Sequence, residues 1–218
     1  MISQLLKEAI RSSDAKNNYM HPYTNKLYAL FMEFEEQAGS DFYDLFIIKK
    51  LPKGTYLLNE GEVSTKVFYI KTGIVRSFQQ RGKREMNMLF TFPNEFVDSY
   101  HSSSLKVPST VSIQLLSDAE VYEFDWSLLN KYKLRFPVIW KIQELIVVCL
   151  LTAVENRLVN MQEMSAMERY EELLVHEPQL LKSVSLVYIA NYIGCSPECI
   201  SRIRAKISGG MKPVLQFR

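Results

Sequence analysis

Residues 186–206 read LVYIANYIGCSPECISRIRAK, and this stretch predicts two short helices joined by a tight turn. Gly194 permits the left-handed backbone conformation that often follows the end of a helix. Ser196 is a favoured N-cap residue and Pro197 a favoured first residue for the second helix. Apolar residues recur at helical spacing in both helices and predict a shared core: Ile189, Ala190, Ile193, Ile200, Ile203 and Ile207.

The second helix of this pair carries polar side chains opposite the isoleucines. Such a pair predicts a helix-turn-helix whose second helix enters the major groove of DNA, although an ordinary packed helical hairpin has the same apolar pattern. Glu198 and Arg202 are four residues apart and share one face. Arg202 can donate two hydrogen bonds to a guanine, and Glu198 can accept one from a cytosine. The predicted DNA contacts are Ser196, Pro197, Glu198, Ser201, Arg202, Arg204 and Lys206.

Charge is divided unevenly along the chain. The 218 residues contain 26 Lys and Arg against 24 Asp and Glu, a net charge of +2. Residues 182–218 contain six basic residues and one acidic residue, so this segment carries +5 and residues 1–181 carry −3. A basic end on an acidic body is the distribution expected of a DNA-binding domain joined to a second domain.

The middle of the chain, from about residue 51 to residue 126, has the pattern of short β-strands. Turn signals that contain glycine separate runs of β-branched and aromatic residues. Several such strands predict a small closed barrel or jelly roll, which leaves few strand edges exposed. The predicted strands are Thr55–Leu58, Val67–Ile70, Ile74–Phe78, Glu85–Phe92, Val111–Leu116 and Glu120–Phe124.

A long helix is predicted from Pro137 to about Asn160, because Pro137 suits a first helical position and the following segment is apolar on more than one side. One side can pack on the barrel, and the other is predicted to form a heptad seam with the same helix of a second chain. The alternative is a central core helix in a monomer. The predicted dimer seam consists of Ile139, Ile142, Ile146, Cys149, Ala153 and Asn156.

Apolar residues at helical spacing predict helices in the chain up to about residue 50. After the long helix, a capping box formed by Ser165 and Glu168 predicts another helix. The predicted fold class is therefore α+β. The predicted divisions are N-terminal helices and a β-roll in residues 1–136, the long dimerisation helix in residues 137–162 and a winged-helix-type helix-turn-helix domain in residues 163–218.

The β-roll, the long helix and the helix-turn-helix follow one another along the chain in the order typical of the Crp/Fnr family of bacterial transcription regulators. The sequence resembles that family over nearly the whole chain. The resemblance implies a homodimer that binds a two-fold DNA site and contacts RNA polymerase. In the second helix, Glu198, Ser201 and Arg202 match the E-x-x-S-R arrangement of the Fnr-like branch. The matching segments are LPKGT at 51–55, EGE at 60–62, FYIKTGIVR at 68–76, ERY at 168–170 and IGCSPECISRIR at 193–204.

The same resemblance implies an effector pocket in the roll, but its residues differ from those that bind cyclic AMP. In members that bind cyclic AMP, a Gly-Glu pair holds the ribose and an Arg-Ser/Thr pair holds the phosphate. Here Asp98-Ser99 and Ser109-Thr110 stand in these places, so the cation for the phosphate is missing and tight cyclic AMP binding is not expected. The effector stays unknown. The candidate pocket residues are Asp98, Ser99, His101, Ser109, Thr110, Val154 and Glu155.

Cysteine and histidine are too few and too scattered to predict a metal site or a bound cofactor. The three cysteines form no disulfide framework, which indicates a reducing, cytoplasmic location. The three histidines lie in separate segments, so a metal-dependent enzyme of the cupin type is not expected. The longest apolar run is about half of the ~20 residues that a membrane span needs.

The function predicted from these patterns is sequence-specific binding of double-stranded DNA by a transcription regulator that is not an enzyme. The alternative is a small-molecule sensor whose helix-turn-helix binds another protein instead of DNA. The positive charge of residues 182–218 and the Glu198/Arg202 pair favour DNA.

Overall fold

The computed structural model describes residues 24–82 and 84–208 and confirms the α+β fold class. The strands are β1 (Phe46–Leu51), β2 (Tyr56–Leu58), β3 (Lys66–Thr72), β4 (Val75–Arg81), β5 (Arg84–Thr91), β6 (Phe96–Val97), β7 (Ser112–Leu115) and β8 (Ala119–Asp125). The helices are α1 (Thr24–Ala38), a 3₁₀ helix (Gly39–Leu45), α2 (Tyr100–Leu105), α3 (Trp126–Tyr132), α4 (Val138–Glu163), α5 (Ala166–His176), α6 (Pro178–Ser183), α7 (Leu186–Ile193) and α8 (Pro197–Ser208).

Two four-stranded antiparallel sheets build the β-roll, with the strand orders β1-β8-β3-β6 and β2-β7-β4-β5. Strand β8 pairs on both sides, so that Phe124 lies opposite Phe46 on β1 and opposite Val67 on β3. Alternate side chains of these strands point inward and pack between the sheets. One core cluster consists of Leu58, Phe68, Ile70, Val75, Val97, Ile113, Leu115, Ala119 and Val121.

The first strand corrects the prediction that residues up to about 50 are helical. Phe42, Leu45 and Phe46 have helical spacing, but the 3₁₀ helix ends at Leu45 and β1 begins at Phe46. The six residues of β1 pair in register with β8, so their backbone groups are satisfied by a distant strand that local spacing does not reveal. The six predicted strands are all present within a few residues of their predicted bounds.

The N-terminal half of α4 is a core helix of its own chain. Ile139, Ile142 and Ile146 are 2%, 6% and 3% exposed and pack in the core that α1 and the roll share. These three side chains cannot meet a second chain, so the predicted dimer seam is corrected in this half. The other three predicted seam residues, Cys149, Ala153 and Asn156, line a cavity that is partly open to solvent, and Asn156 is exposed.

A different face of α4 is left exposed. Leu151, Val154 and Leu158 are 55%, 51% and 58% exposed, and Val147 lies half-buried on the same face. Their alternating spacing of three and four residues is the heptad pattern of a coiled-coil seam. We refer to Val147, Leu151, Val154 and Leu158 as the exposed stripe.

Helices α5 to α8 pack in a second core around Leu180, and Ile74, Phe90 and Leu116 of the roll belong to the same core. Helix α7 also contacts β5. The capping box predicted at the start of α5 is present, with the Ser165 hydroxyl accepting from the Glu168 backbone and the Glu168 carboxylate accepting from the Ser165 backbone. The winged-helix type predicted for residues 163–218 stays a prediction, because residues 209–218, like residues 1–23, lie outside the described residues. No helix among the described residues is long and apolar enough to cross a membrane.

Candidate nucleic-acid interface and effector sites

Helices α7 and α8 meet at a turn with the geometry that the sequence predicts. Gly194 has a φ of +82°, and its N–H lies 2.9 Å from the carbonyl oxygen of Ala190. The Cys195 N–H donates to the same carbonyl at 3.0 Å. The Ser196 hydroxyl accepts from the Cys199 N–H at 3.2 Å and caps α8. The direction of α8 is therefore set by hydrogen bonds on both sides of the turn.

A tight apolar core fixes the rotation of α8 about its own axis. Ile200 is completely buried and Ile203 is 6% exposed, so both face α7. This leaves the opposite face of α8 in solvent. The partners buried with these two side chains include Tyr170, Leu180, Ile189, Ala190 and Ile193.

Four of the predicted DNA contacts share the exposed face of α8: Glu198, Ser201, Arg202 and Lys206. A hydrogen bond from Ser196 lowers the pKa of the Glu198 carboxyl, and the nearby Arg202 charge lowers it further. Glu198 is therefore an ionised acceptor beside a cationic donor. The Ser201 hydroxyl donates to the carbonyl of Pro197 at 3.1 Å and keeps lone pairs for a further donor.

The other three predicted contacts have structural roles. Ser196 caps α8, and Pro197 is its first residue and is half-buried. Arg204 is also half-buried, and its Nε donates to the Tyr170 hydroxyl at 2.9 Å. Arg204 therefore holds α8 against α5 instead of extending freely into solvent.

The predicted effector pocket in the roll is filled by the protein's own hydrogen bonds. Asp98 accepts from Ser64 Oγ at 3.0 Å, from Ser103 Oγ at 2.7 Å and from Trp126 Nε1 at 2.8 Å. Burial raises the pKa of Asp98, and these hydrogen bonds oppose the rise. A carboxylate with three donors has little capacity left for a ligand.

The remaining pocket candidates do not gather around a common space. Ser99 and Ser109 are 9% and 2% exposed, and their Oγ atoms lie 2.9 Å apart. The other four side chains lie on the surface: His101, Thr110, Val154 and Glu155. None of the seven candidates lines the large cavity between the roll and the helix-turn-helix domain.

The β4–β5 hairpin holds the helix-turn-helix through a buried arginine that sequence reasoning did not single out. Arg76 on β4 is 1% exposed, and its guanidinium carbon lies 3.8 Å from the ring centroid of Phe78 and 4.0 Å from that of Tyr188 on α7. The guanidinium also donates to Gln114 at 2.7 Å and pairs with Glu85 at 2.5 Å. The charge is therefore compensated, and one of its aromatic partners belongs to the helix-turn-helix.

Asn87 on β5 adds direct hydrogen bonds across the same contact. Its N–H donates to Asn191 Oδ1 at 2.8 Å, and its Nδ2 donates to the Tyr188 carbonyl at 2.9 Å. Asn191 in turn donates to the carbonyl of Glu85. Asn87 is 1% exposed, so these bonds are shielded from water. We refer to Arg76, Phe78, Asn87, Tyr188 and Asn191 as the hairpin contact.

A cavity of about 440 Å³ lies between the roll, α4 and the helix-turn-helix domain. Its walls come from β5 and the loop that follows it, from the middle of α4, and from α5 and the end of α7. We refer to it as the interdomain cavity. Aromatic and aliphatic side chains dominate one part of its lining. Three carboxyls also line it, Glu95 from the roll and Glu172 and Glu177 from the helix-turn-helix domain.

Two of the three carboxyls that line the interdomain cavity, Glu95 and Glu177, have raised pKa values. The surrounding protein raises the pKa of Glu95 to about 7, although solvent in the cavity reaches its side chain. Burial raises the pKa of Glu177 to about 8, and the charge of Glu95 adds to this rise. Near neutral pH the pair therefore titrates inside the molecule.

Among the described residues, no group of three or more His, Cys, Asp or Glu side chains is arranged to hold a metal ion.

Known proteins match the chain at the level of domain and fold. Residues 48–133 match the family model of the cyclic nucleotide-binding domain. No curated protein matches the chain in sequence.

Three solved structures share its architecture. FixK2 from Bradyrhizobium japonicum is 20% identical, with a TM-score of 0.63 over 79% of this chain and 88% of that one. CLP from Xanthomonas campestris, described as a c-di-GMP-responsive global regulator, is 18% identical, with a TM-score of 0.60 over 87% of this chain and 95% of that one. A candidate Crp/Fnr transcriptional regulator from Eubacterium rectale is 20% identical, with a TM-score of 0.61 over 87% of this chain and 88% of that one. The fold is therefore that of Crp/Fnr regulators.

Proposed function

We propose that this chain is a sequence-specific DNA-binding transcription regulator of the Crp/Fnr type. The observation that carries the proposal is the exposed face of α8, where Glu198 and Arg202 lie one helical turn apart. A rigid, capped helix that presents an ionised acceptor and a bidentate donor side by side can read a cytosine and a guanine. The fold that surrounds this helix is one that transcription regulators use.

The regulator acts as a homodimer that pairs through the exposed stripe of α4. Three large apolar side chains, Leu151, Val154 and Leu158, are each more than half exposed in the single chain. Their heptad spacing fits a second copy of the same helix, which would bury them. A two-fold axis along α4 sets two α8 helices on one side of the dimer, as a two-fold DNA site requires.

In this proposal the pocket of the cyclic nucleotide-binding domain does not bind cyclic AMP tightly. Asp98 accepts three hydrogen bonds from the protein's own side chains, and Ser99 and Ser109 contact each other. No cationic side chain stands at either position to pair with a cyclic phosphate. RNA polymerase is the further partner that a regulator of this type contacts in the cytoplasm.

Selection from a random DNA pool with the full chain tests the proposal. We expect enrichment of a two-fold sequence whose half-sites lie about one helical turn, ~34 Å, apart. Recovery of DNA without any enriched two-fold sequence would contradict sequence-specific reading. That outcome would favour a sensor whose helix-turn-helix binds protein.

A further inference from the structure

The interdomain cavity has the size and lining of a small-molecule site. Its volume of about 440 Å³ lies within the range of roughly 300–1,000 Å³ that such sites occupy. Phe90 and Tyr192 pack with their ring centroids 4.8 Å apart at its wall, and Phe92 lies beside them. Leu150 from α4 and Leu173 from α5 complete an apolar surface that suits a flat or aliphatic ligand.

The polar groups of the cavity give it a defined electrostatic character. Glu95 follows β5 and accepts from the Phe92 N–H at 2.9 Å, whereas Glu177 is the residue after α5. Both side chains line the same cavity. One carboxyl belongs to the roll and the other to the helix-turn-helix domain.

The arginines at the cavity are held by backbone oxygens. Arg157 donates to the Tyr192 carbonyl at 2.7 Å and lies 3.9 Å from the Tyr192 ring centroid. Arg169 donates to the Ile193 carbonyl at 2.9 Å and also to the Met164 carbonyl. These guanidinium groups stabilise the end of α7 and the start of α5.

Two further titratable side chains line the cavity. Glu172 accepts from Asn160 at 2.7 Å, and His176 ends α5. Cys149 and Tyr192 are also part of the lining, and the charge of Glu95 contributes to the raised pKa of both. Glu95 therefore acts on Cys149 and Tyr192 as a negative charge.

We propose that the interdomain cavity binds a small, mainly apolar organic cation, with its basic nitrogen between the carboxyls of Glu95 and Glu177 and its apolar part against Phe90, Phe92 and Tyr192. A protonated amine between the two carboxyls removes their mutual repulsion and supplies charge-assisted hydrogen bonds. An anionic ligand would instead be repelled by the two carboxylates. The site is distinct from the Asp98 region, which lies elsewhere in the roll and shares no lining residue with it.

Such a ligand would act as a bridge. The walls of the cavity belong to the roll, to α4 and to the helix-turn-helix domain. A bound ligand would therefore connect the parts whose relative position sets the direction of α8. This regulatory consequence rests on the proposed function, whereas binding of the ligand does not.

Calorimetric titration of the full chain with three indoles of similar shape tests the proposal. The probes are tryptamine, which carries an amine, 3-ethylindole, which is uncharged, and indole-3-propionate, which is anionic. We expect tryptamine to bind about tenfold or more tightly than either analogue, as a charge-assisted hydrogen bond predicts. Absence of tryptamine binding, or equal binding of the propionate, would overturn the proposal.

A double substitution, Glu95→Gln with Glu177→Gln, supplies the residue-level test. It should abolish the preference for tryptamine, while Glu36→Gln on the exposed surface of α1 should keep it. The double variant should fold, because glutamine matches the shape of glutamate without the cost of burying a charge. A preference that survives the double substitution would place the amine elsewhere. Since none of these readouts involves DNA, loss of DNA binding and loss of amine binding are separable results.

Discussion

The guanidinium carbon of Arg76 lies 4.0 Å from the ring centroid of Tyr188. This contact joins strand β4 of the roll to the first helix of the helix-turn-helix. The Phe78 ring covers the other side of the same guanidinium at 3.8 Å. An arginine that is 1% exposed depends on such partners, because an unpaired buried charge is costly. The roll thus holds the helix-turn-helix domain through a desolvated cation.

Replacing Tyr188 by leucine should weaken this attachment. The change removes one aromatic partner of Arg76, and we expect the free energy of unfolding to fall by about 1–2 kcal/mol, the magnitude of a desolvated cation–π contact. Urea unfolding measures the loss. Tyr188→Phe is the matched control, because it keeps a ring over the guanidinium. Equal stability of the two variants would show that the ring does not stabilise the contact.

Replacing Arg202 by alanine should reduce sequence discrimination by about 1–3 kcal/mol, because a bidentate contact with guanine is lost. Lys206→Ala is the comparison, since a phosphate contact weakens binding to all sequences alike. Competition between a selected duplex and a random duplex separates the two effects. If Arg202→Ala weakens both duplexes equally, Arg202 is not a base-reading residue.

Leu151→Glu combined with Leu158→Glu should convert the proposed dimer into a monomer. Both side chains lie on the exposed stripe and would bring like charges together at a two-fold seam. Sedimentation analysis measures the mass. The control is Leu105→Glu on α2, where the side chain is 64% exposed and away from the stripe. A dimer that persists in the double variant would place the interface on another surface.

Cyclic AMP should bind no more tightly than about the millimolar range, because Ser109-Thr110 stands where an Arg-Ser/Thr pair would bind the phosphate. Calorimetric titration of the purified chain is the direct measurement. Micromolar affinity would show that the network of Asp98, Ser99 and Ser109 opens to admit the nucleotide. In that event the Ser109→Ala variant, which removes the Ser99 contact, should alter the affinity.

The sequence predicts most of the fold because its patterns are local. Alternation and glycine turns locate the later strands, and the Ser165 cap and Gly194 turn locate helix ends. Strand β1 escapes prediction because its pairing with β8 is distant, and its first residue, Phe46, also fits a helical pattern. Local pattern and tertiary pairing compete here, and the pairing prevails.

The site is predicted less completely, for reasons that differ between its parts. The face of α8 follows from one helix and its isoleucines. Helix α4 has two apolar stripes, and its sequence does not show that α1 covers Ile139 and its neighbours while Leu151 stays exposed. The hairpin contact and the interdomain cavity join residues far apart in the chain, such as Glu95 and Glu177, and only the folded arrangement brings them together.

The carboxyls of the interdomain cavity should make the stability of the chain depend on pH. The surrounding protein raises the folded-state pKa of Glu95 to about 7, and burial raises that of Glu177 to about 8, both above the ordinary value of 4.5. For an acid whose pKa rises on folding, the stabilising contribution is complete below the ordinary pKa and is lost as the pH rises through the folded value. The contribution should therefore decline from about pH 4.5 and be gone above about pH 8.

Urea unfolding at about pH 5.5 and about pH 8.5 measures this dependence. Glu172, His176, Arg157 and Arg169 also line this cavity, so the informative quantity is the difference between the unaltered chain and the Glu95→Gln/Glu177→Gln variant. We expect the variant to gain stability relative to the unaltered chain as the pH rises, because glutamine carries no charge that burial could penalise. A difference that stays constant across this range would show that the two carboxyls do not titrate inside the cavity.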